Sequence, residues 1–290
     1  MQKLFLAGAI CAISLEALAQ PADPSAAREI AKIDGEYSNL SVAKGMPAAS
    51  VEYFAEHGVA FAPAAVNGKK YWAGRTNFPG TLIWQPIFAF AAGAADLGYT
   101  TGIWELKNGN EPLSLAFGHY VTIWAKQRNG QWKIALDVGT ENPQPSEPPP
   151  SLQLLSPDVT AGTQPPENSR RSLQKAERQF AQAAHDGIGK AILDYAADDI
   201  RVYREKSFPA VGLVAARLML TSEHGKATFE PGGSKMSRSG DVSYSYGNYS
   251  EERGNAVDHG IYLMIWRANM NADWRLALNL QKKSLPAAKQ

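Results

Sequence analysis

The segment Gly118-His119-Tyr120-Val121-Thr122-Ile123-Trp124, followed by Trp132-Lys133-Ile134-Ala135-Leu136, returns later as Gly260-Ile261-Tyr262-Leu263-Met264-Ile265-Trp266 and Trp274-Arg275-Leu276-Ala277-Leu278. Between Gly118–Asp137 and Gly260–Asn279, 8 of 20 ungapped positions are identical, where unrelated sequences of ordinary composition share about one or two. The chain is therefore a duplication, and a fold proposed for one half must suit the other. Gly45 and Gly187, Tyr53 and Tyr195, and Phe61 and Tyr203 lie 142 residues apart. Pro86 and Pro231, Asp96 and Asp241, Tyr99 and Tyr244, and Gly102 and Gly247 lie 145 apart, and the spacing returns to 142 at Gly118. The three-residue indels thus fall in loops, which absorb them.

A length of 290 residues suits two domains, each large enough to bury its own core. With 44% hydrophobic and 20% charged residues the composition is that of a globular protein, and a net charge of +1 predicts no strong attraction to nucleic acid or anionic lipid. Eight of the eighteen prolines lie between Glu141 and Asn168. Proline fixes φ and removes a donor, so 141–168 is expected to be an extended linker without helix or strand. The expected domains are 22–140 and 169–285.

Residues 1–19 carry Lys3, an apolar run from Leu4 to Leu15 and a small-x-small site at Ala17-Leu18-Ala19. This is the pattern of a secretory signal peptide cleaved after Ala19, with an uncleaved anchor as the alternative. Periplasmic or secreted export is the expectation. Cys11 is the one cysteine and would leave with the signal, so the mature chain would have no disulfide and no thiolate. No other run approaches eighteen apolar residues, so no membrane span is expected after cleavage.

Both halves show the same order of signals. Ala26–Ala43 and Arg170–Asp186 have helical composition and end at Lys44-Gly45 and Gly187. Short helices are expected over Ala48–His57 and Ile188–Ala197. Strands follow over Val59–Ala62, Leu82–Ala92, Gly98–Leu106, Phe117–Gln127 and Gln131–Val138, the last two joined by Arg128-Asn129-Gly130, a hairpin signal. Helices followed by a run of strands is an α+β pattern, here a curved antiparallel sheet wrapped around N-terminal helices.

The stretch Leu82-Ile83-Trp84-Gln85-Pro86, then Asp96-Leu97-Gly98-Tyr99-Thr100-Thr101-Gly102, then Gly118 to Trp124, then Gly130-Gln131-Trp132 to Gly139 resembles the nuclear-transport-factor-2-like superfamily, and within it an exported bacterial group of SnoaL-like and ketosteroid isomerase-like domains of unassigned function. The resemblance covers nearly all of the first half and, more weakly, the second. It implies two tandem cone-shaped domains, each enclosing one pocket.

The resemblance also implies where isomerase chemistry would sit, since that chemistry needs a general-base carboxylate and an oxyanion hole. The base position falls at Ala62 and Arg204, neither of which can serve. The oxyanion tyrosine maps near Ser38, with Tyr37 one residue away, and near Phe180; the protonated acid maps near Tyr120 and Tyr262. The reading therefore favours binding over catalysis, with a small apolar or aromatic ligand in a first-domain pocket lined by Trp84, Tyr99, Trp104, Tyr120 and Trp124. The residues carry two alternatives. One is an isomerase, dehydratase or cyclase that uses His119 or Asp96 in a non-standard arrangement. The other is an interaction module, in which the two domains form an internal pseudo-dimer or the chain a homodimer.

For Asp96 and Asp241 a backbone-bonding turn role competes with catalysis, and His57 and His185 are expected to cap helix ends. On the strand at 117–127, Tyr120, Thr122 and Trp124 share one face and His119, Val121 and Ile123 the other, and alternation does not say which lines the pocket. The five histidines are scattered, so no metal site and no cofactor is expected. The second copy replaces Trp84 by Phe229, Gly98 by Ser243, His119 by Ile261 and Asp137 by Asn279, and is expected to be mainly a structural partner.

Overall fold

Helix α1 (Ser25–Lys44) buries Ala27, Ile30, Ala31, Asp34, Tyr37, Ser38 and Ser41, a stripe at three- and four-residue spacing that can lie flat on a sheet. These residues belong to a computed structural model that describes positions 24–109, 114–157, 166–268 and 273–284. The expected signal peptide over 1–19 lies outside the described residues. No helix among them is long and apolar enough to cross a membrane.

Gly45, at φ +85°, takes the left-handed turn that separates α1 from α2 (Met46–Tyr53). Strand β1 (Phe54–Phe61) begins at once, pairing Phe54 with Ile134, so His57 sits in a strand rather than at a helix end. The helix expected over 48–57 thus stops four residues early, because Phe54 is already extended and buried. Strand β2 (Ala65–Asn67) and helix α3 (Gly68–Ala73) had no clear periodic signal; α3 is started by Asn67, whose side chain accepts from Lys70 N–H at 2.9 Å.

Strands β3 (Thr81–Ala91), β4 (Leu97–Lys107), β5 (Ser114–Lys126) and β6 (Trp132–Asn142) form an antiparallel meander near the expected limits. Strand β7 (Gln153–Leu155) joins β3 in parallel, giving the sheet order β2-β1-β6-β5-β4-β3-β7. The linker was expected to carry no strand. Its proline-free stretch between Pro150 and Pro157 keeps the backbone donors that an open β3 edge can use.

The second half repeats the plan: α4 (Pro166–Asp186), α5 (Ile188–Tyr195), β8 (Ala196–Arg204), β9 (Ala210–Val211), α6 (Gly212–Leu220), β10 (Lys226–Met236), β11 (Val242–Arg253), β12 (Ala256–Ala268) and β13 (Trp274–Lys283). Its sheet order is β10-β11-β12-β13-β8-β9, with β8 parallel to β13 as β1 is to β6. Each half is thus α+β with a mixed, mainly antiparallel sheet. His185 lies in the last turn of α4.

Two bulges bend each sheet at repeated positions. One follows Pro86 and Pro231; the other leaves Ala135 and Ala277 unpaired between Ile123/Leu136 and Trp124/Ile134, and between Ile265/Leu278 and Trp266/Leu276. A bulge reverses which parity faces inward. Before it, Trp132 and Ile134 pack with Trp124 beneath α1 and α2; after it, Leu136 and Val138 turn to the opposite face.

That opposite face is not solvated. Phe88, Phe90, Tyr99, Val121, Ile123, Leu136 and Val138 share one buried cluster with Tyr203, Tyr244, Ile261, Leu263, Ile265, Leu278 and Leu280. Each fully buried aliphatic or aromatic side chain contributes about 1.5–3 kcal/mol. Arg201 lies 3.9 Å over Phe88 and Arg267 lies 4.9 Å over Phe90. At the sheet corner, Asp241 Oδ2 accepts Gly93 N–H at 2.7 Å while Asp96 accepts Arg238 N–H at 3.2 Å and Nε–H at 3.1 Å. Gly93 and Arg238, like Asp96 and Asp241, are 145 positions apart, so the two carboxylates make the same contact in opposite directions.

Candidate functional site

Between the helices and the inner face of the first sheet lies a cavity of about 300 Å3 walled by Leu82, Trp84, Trp104, Leu106, Tyr120 and Phe78. An outer groove of about 770 Å3 shares Met46, Trp72 and Phe78 with it. The wall is apolar except at a few groups: Tyr37, Thr122, Asp137 and Glu141 from the first half, and Lys282 from the second.

Two carboxyl groups organise this wall. Asp34, on the buried stripe of α1, accepts Trp84 Nε1–H at 2.8 Å and Tyr120 O–H at 2.7 Å, so one side chain fixes two of the rings. Burial raises the Asp34 pKa from 3.8 to about 6, and the hydrogen bonds from Tyr120, Thr100 and Trp84 hold it from rising further. Burial and the neighbouring Asp34 push the Tyr120 phenol well above its ordinary range, so it stays a donor. Tyr37 stands edge-on to Trp84 at 4.6 Å and exchanges a hydrogen bond with Ser50 at 2.8 Å.

Asp137 lines the cavity itself. Thr122 O–H donates to its Oδ1 at 2.6 Å, and among the described residues it has no other hydrogen-bond partner. Burial raises its pKa from 3.8 to about 7; Thr122 opposes the rise and Asp34 adds to it. A carboxyl poised near neutral pH in an apolar cavity can hold or give up a proton to a bound molecule.

Of the five aromatics expected to line the pocket, the structure brings together Trp84, Trp104 and Tyr120. Tyr99 is corrected: it lies in the core between the sheets, 5.8 Å from Phe90, because odd positions on β4 point away from Trp104. Trp124 is also corrected. It shares a face with Tyr120 but is wholly buried below the cavity, its Nε1–H on Thr100 Oγ1 at 2.9 Å.

Neither expected catalytic candidate reaches the cavity. His119 is on the opposite face of β5 from Tyr120. Its Nδ1 is 2.6 Å from Asn142 Oδ1, its ring is near Tyr203 and Phe208 of the second half, and burial lowers its pKa. Asp96 is engaged with Arg238 at the sheet corner. Among the described residues, no group of three or more metal-ligating side chains is assembled.

Sequence reasoning missed Asp34 and Asp137. Asp34 was legible in principle, since it falls on the same helical stripe as Ile30 and Tyr37. Asp137 was hidden by the bulge at Ala135: counted from Trp132 and Ile134 by strict alternation, it points away from the cavity.

The mapped base position in the second half holds Arg204, which donates to Glu223 through Nε and Nη2 at 2.8 and 2.9 Å and to Asn279 Oδ1 through Nη1 at 2.9 Å. Asn279 is the counterpart of Asp137, so the ionisable acid is replaced by an amide tied to an internal ion pair.

No protein-family model and no curated protein matches the chain. Solved structures do. A ketosteroid isomerase-like protein from Erwinia carotovora atroseptica matches at 16% identity and a TM-score of 0.34, over 39% of this chain and 94% of its own. A nuclear-transport-factor-2-like protein of unknown function from Shewanella oneidensis matches at 11% identity and 0.33, over 39% and 98%. One with a cystatin-like fold from Novosphingobium aromaticivorans matches at 13% and 0.33, over 42% and 86%. With its two bent sheets, each carrying its own helices, this chain is α+β in both halves.

Proposed function

We propose that the first domain binds a small, mainly apolar or aromatic molecule in the cavity between Trp84, Trp104 and Tyr120, with Asp137 as its polar contact. The observation that carries this reading is an aromatic-walled cavity of about 300 Å3 in which one carboxyl, its pKa raised to about 7, faces the space. N-phenyl-1-naphthylamine is a suitable probe, read by its own emission and by quenching of Trp84 and Trp104. Gly139→Val sends a side chain into the cavity, where even a Cβ would stand 3.3 Å from Trp104 Nε1. Binding by the parent chain that is lost in Gly139→Val supports the reading; equal binding by both, or by neither, ends it.

Asp137 also favours a second reading, an isomerase- or cyclase-type enzyme in which this carboxyl moves a proton on a carbonyl substrate. Hydrogen–deuterium exchange beside the carbonyl of small aryl ketones, followed by NMR, tests it. Loss of a positioned acid–base group typically costs about 100-fold or more, so Asp137→Asn should abolish any exchange, and exchange that survives the change removes this reading.

The reciprocal bonds of Asp96 and Asp241, with the cluster shared by both sheets, support an internal pseudo-dimer as the working arrangement. Export remains part of the proposal; amino-terminal sequencing of the protein from a fractionated bacterial host, with Gln20 expected first, checks it.

A further inference from the structure

The second half places a cation at the first half's cavity. Lys282, on β13, is the one basic residue among the described residues lining it. Its Nζ donates to Gly139 O at 2.9 Å, which holds the ammonium on the strand that carries Asp137 and Glu141. Asp137, Gly139 and Glu141 follow one another along the inward face of β6, and at about 3.3 Å per residue Lys282 is anchored about 7 Å along the strand from Asp137.

The surrounding charges engage the ammonium without spending all of its donors. Glu141 is already paired with Lys206, whose backbone N–H also donates to Glu141 O at 2.8 Å. Glu205 lies 3.5 Å from Lys282 Nζ, yet its Oε2 makes no hydrogen bond, so this contact is an ion pair without a directed bond. An ammonium has three donors, and one is used by Gly139.

We propose that Lys282 is a specificity-determining residue of the first domain's cavity, supplied by the second domain, and that it selects apolar molecules carrying an anionic oxygen group such as a carboxylate or sulfonate. The inference rests on the cavity reading above. The ligand's rings lie against the wall formed by Trp84 and Trp104, and its anionic oxygen takes the donors that Lys282 does not spend on Gly139. The second domain is then part of the binding site as well as a packing partner, which differs from the expectation that it is mainly structural.

Two fluorescent probes separate the possibilities in the full chain: 8-anilinonaphthalene-1-sulfonate and N-phenyl-1-naphthylamine, which keeps the same rings without the sulfonate. A charge-assisted hydrogen bond in a partly dry site corresponds to about tenfold or more in affinity. The parent chain should therefore prefer the sulfonate by about that factor. Lys282→Met should erase the preference by weakening the sulfonate while leaving the neutral amine within about twofold. Lys282→Arg should retain part of it. Lys283→Met changes a lysine on the other strand face that is paired with Asp258 at 2.6 Å, and should alter neither affinity.

Raising salt on the parent chain gives an independent readout, since it should weaken only the sulfonate. Sulfonate affinity that is unchanged or higher in Lys282→Met, or lowered equally by Lys283→Met, overturns the inference, and the cavity reading survives if the amine still binds and is displaced by Gly139→Val. Binding of neither probe overturns both.

Discussion

Asp34→Asn is the substitution whose consequence can be worked furthest from the structure. Asp34 is fully buried, and burial lifts its pKa from 3.8 to about 6. A raised carboxyl pKa means that the folded state holds the proton more tightly than the unfolded chain, so ionisation costs stability. The contribution is fully present below about pH 3.8, is lost as pH rises to about 6, and is constant above that. A rise of about two pH units corresponds to about 3 kcal/mol. Asparagine cannot ionise, so the stability of Asp34→Asn relative to the parent should climb by about 3 kcal/mol between pH 4 and pH 8. At pH 4 the parent's carboxyl is protonated, so two neutral side chains are compared, and the variant should be the less stable by about 1 kcal/mol because an amide nitrogen cannot accept as the carboxyl hydroxyl can. Urea unfolding across that range, followed by tryptophan emission and far-ultraviolet circular dichroism, measures both quantities, and coincidence of the two probes checks that a single free energy applies. Parallel stability curves for parent and variant would refute the argument, because Asp34 would then ionise alike in the folded and unfolded chain.

Four further outcomes follow from the geometry. Asp241→Ala removes the acceptor of Gly93 N–H and of the Ser237 and Ser239 hydroxyls, and thermal or urea unfolding should show a loss of about 2–4 kcal/mol. Asp96→Ala should cost less, since its partner Arg238 is 76% exposed; the reverse order would contradict the assignment of the clasp. Gly102→Ala would put a Cβ 2.1 Å from Gln85 O and 2.5 Å from the Tyr120 ring, so it should destabilise by about 1–3 kcal/mol and weaken probe binding through the displaced Tyr120. His119→Gln should leave probe affinity within about twofold, because the imidazole faces the second half; a larger loss would place it in the site after all.

Strand alternation carried much of the architecture and then failed at definite places. The repeat and its spacing located β3 to β6 and β10 to β13 because those strands alternate and are flanked by turn residues. Alternation on β5 also divided Tyr120 from His119 correctly, and applying the same rule to β4 would have excluded Tyr99, which cannot face the way Trp104 faces. What alternation could not supply was the parity switch at Ala135. A bulge leaves no compositional mark when the extra residue is an ordinary alanine, so strict alternation from Trp132 and Ile134 puts Asp137 on the wrong face. Asp34 was missed for a different reason: a lone carboxyl on a helix is taken as solvated unless the apolar stripe around it is counted. Lys282 was beyond reach, because its place depends on how one sheet sits on the other, which no local pattern encodes.

The comparison between the copies becomes sharper once the two hidden carboxyls are included. At the repeat spacings Asp34 corresponds to Ala176, Tyr37 to Gln179, Trp84 to Phe229, Thr122 to Met264 and Asp137 to Asn279. Each first-half residue in that set either lines the cavity or hydrogen-bonds to one that does. Tyr120 does persist as Tyr262, but the second phenol packs against Phe229 at 5.1 Å and its acidic neighbour is Glu177, one position beyond the Asp34 counterpart. In contrast, four pairs that hold sheet to sheet remain apolar or aromatic in both copies, Tyr99 and Tyr244, Val121 and Leu263, Ile123 and Ile265, Leu136 and Leu278, while Phe88 and Phe90 give way to Gly233 and Lys235. A buried carboxyl costs stability and is retained only where something offsets that cost. The first half bears that cost twice, within one connected set of side chains, while the second half has shed both groups and kept the packing. The polar set therefore varies as a unit, apart from the fold, and that separation is the reason to seek ligand chemistry in the first cavity and the completion of its rim in the second sheet.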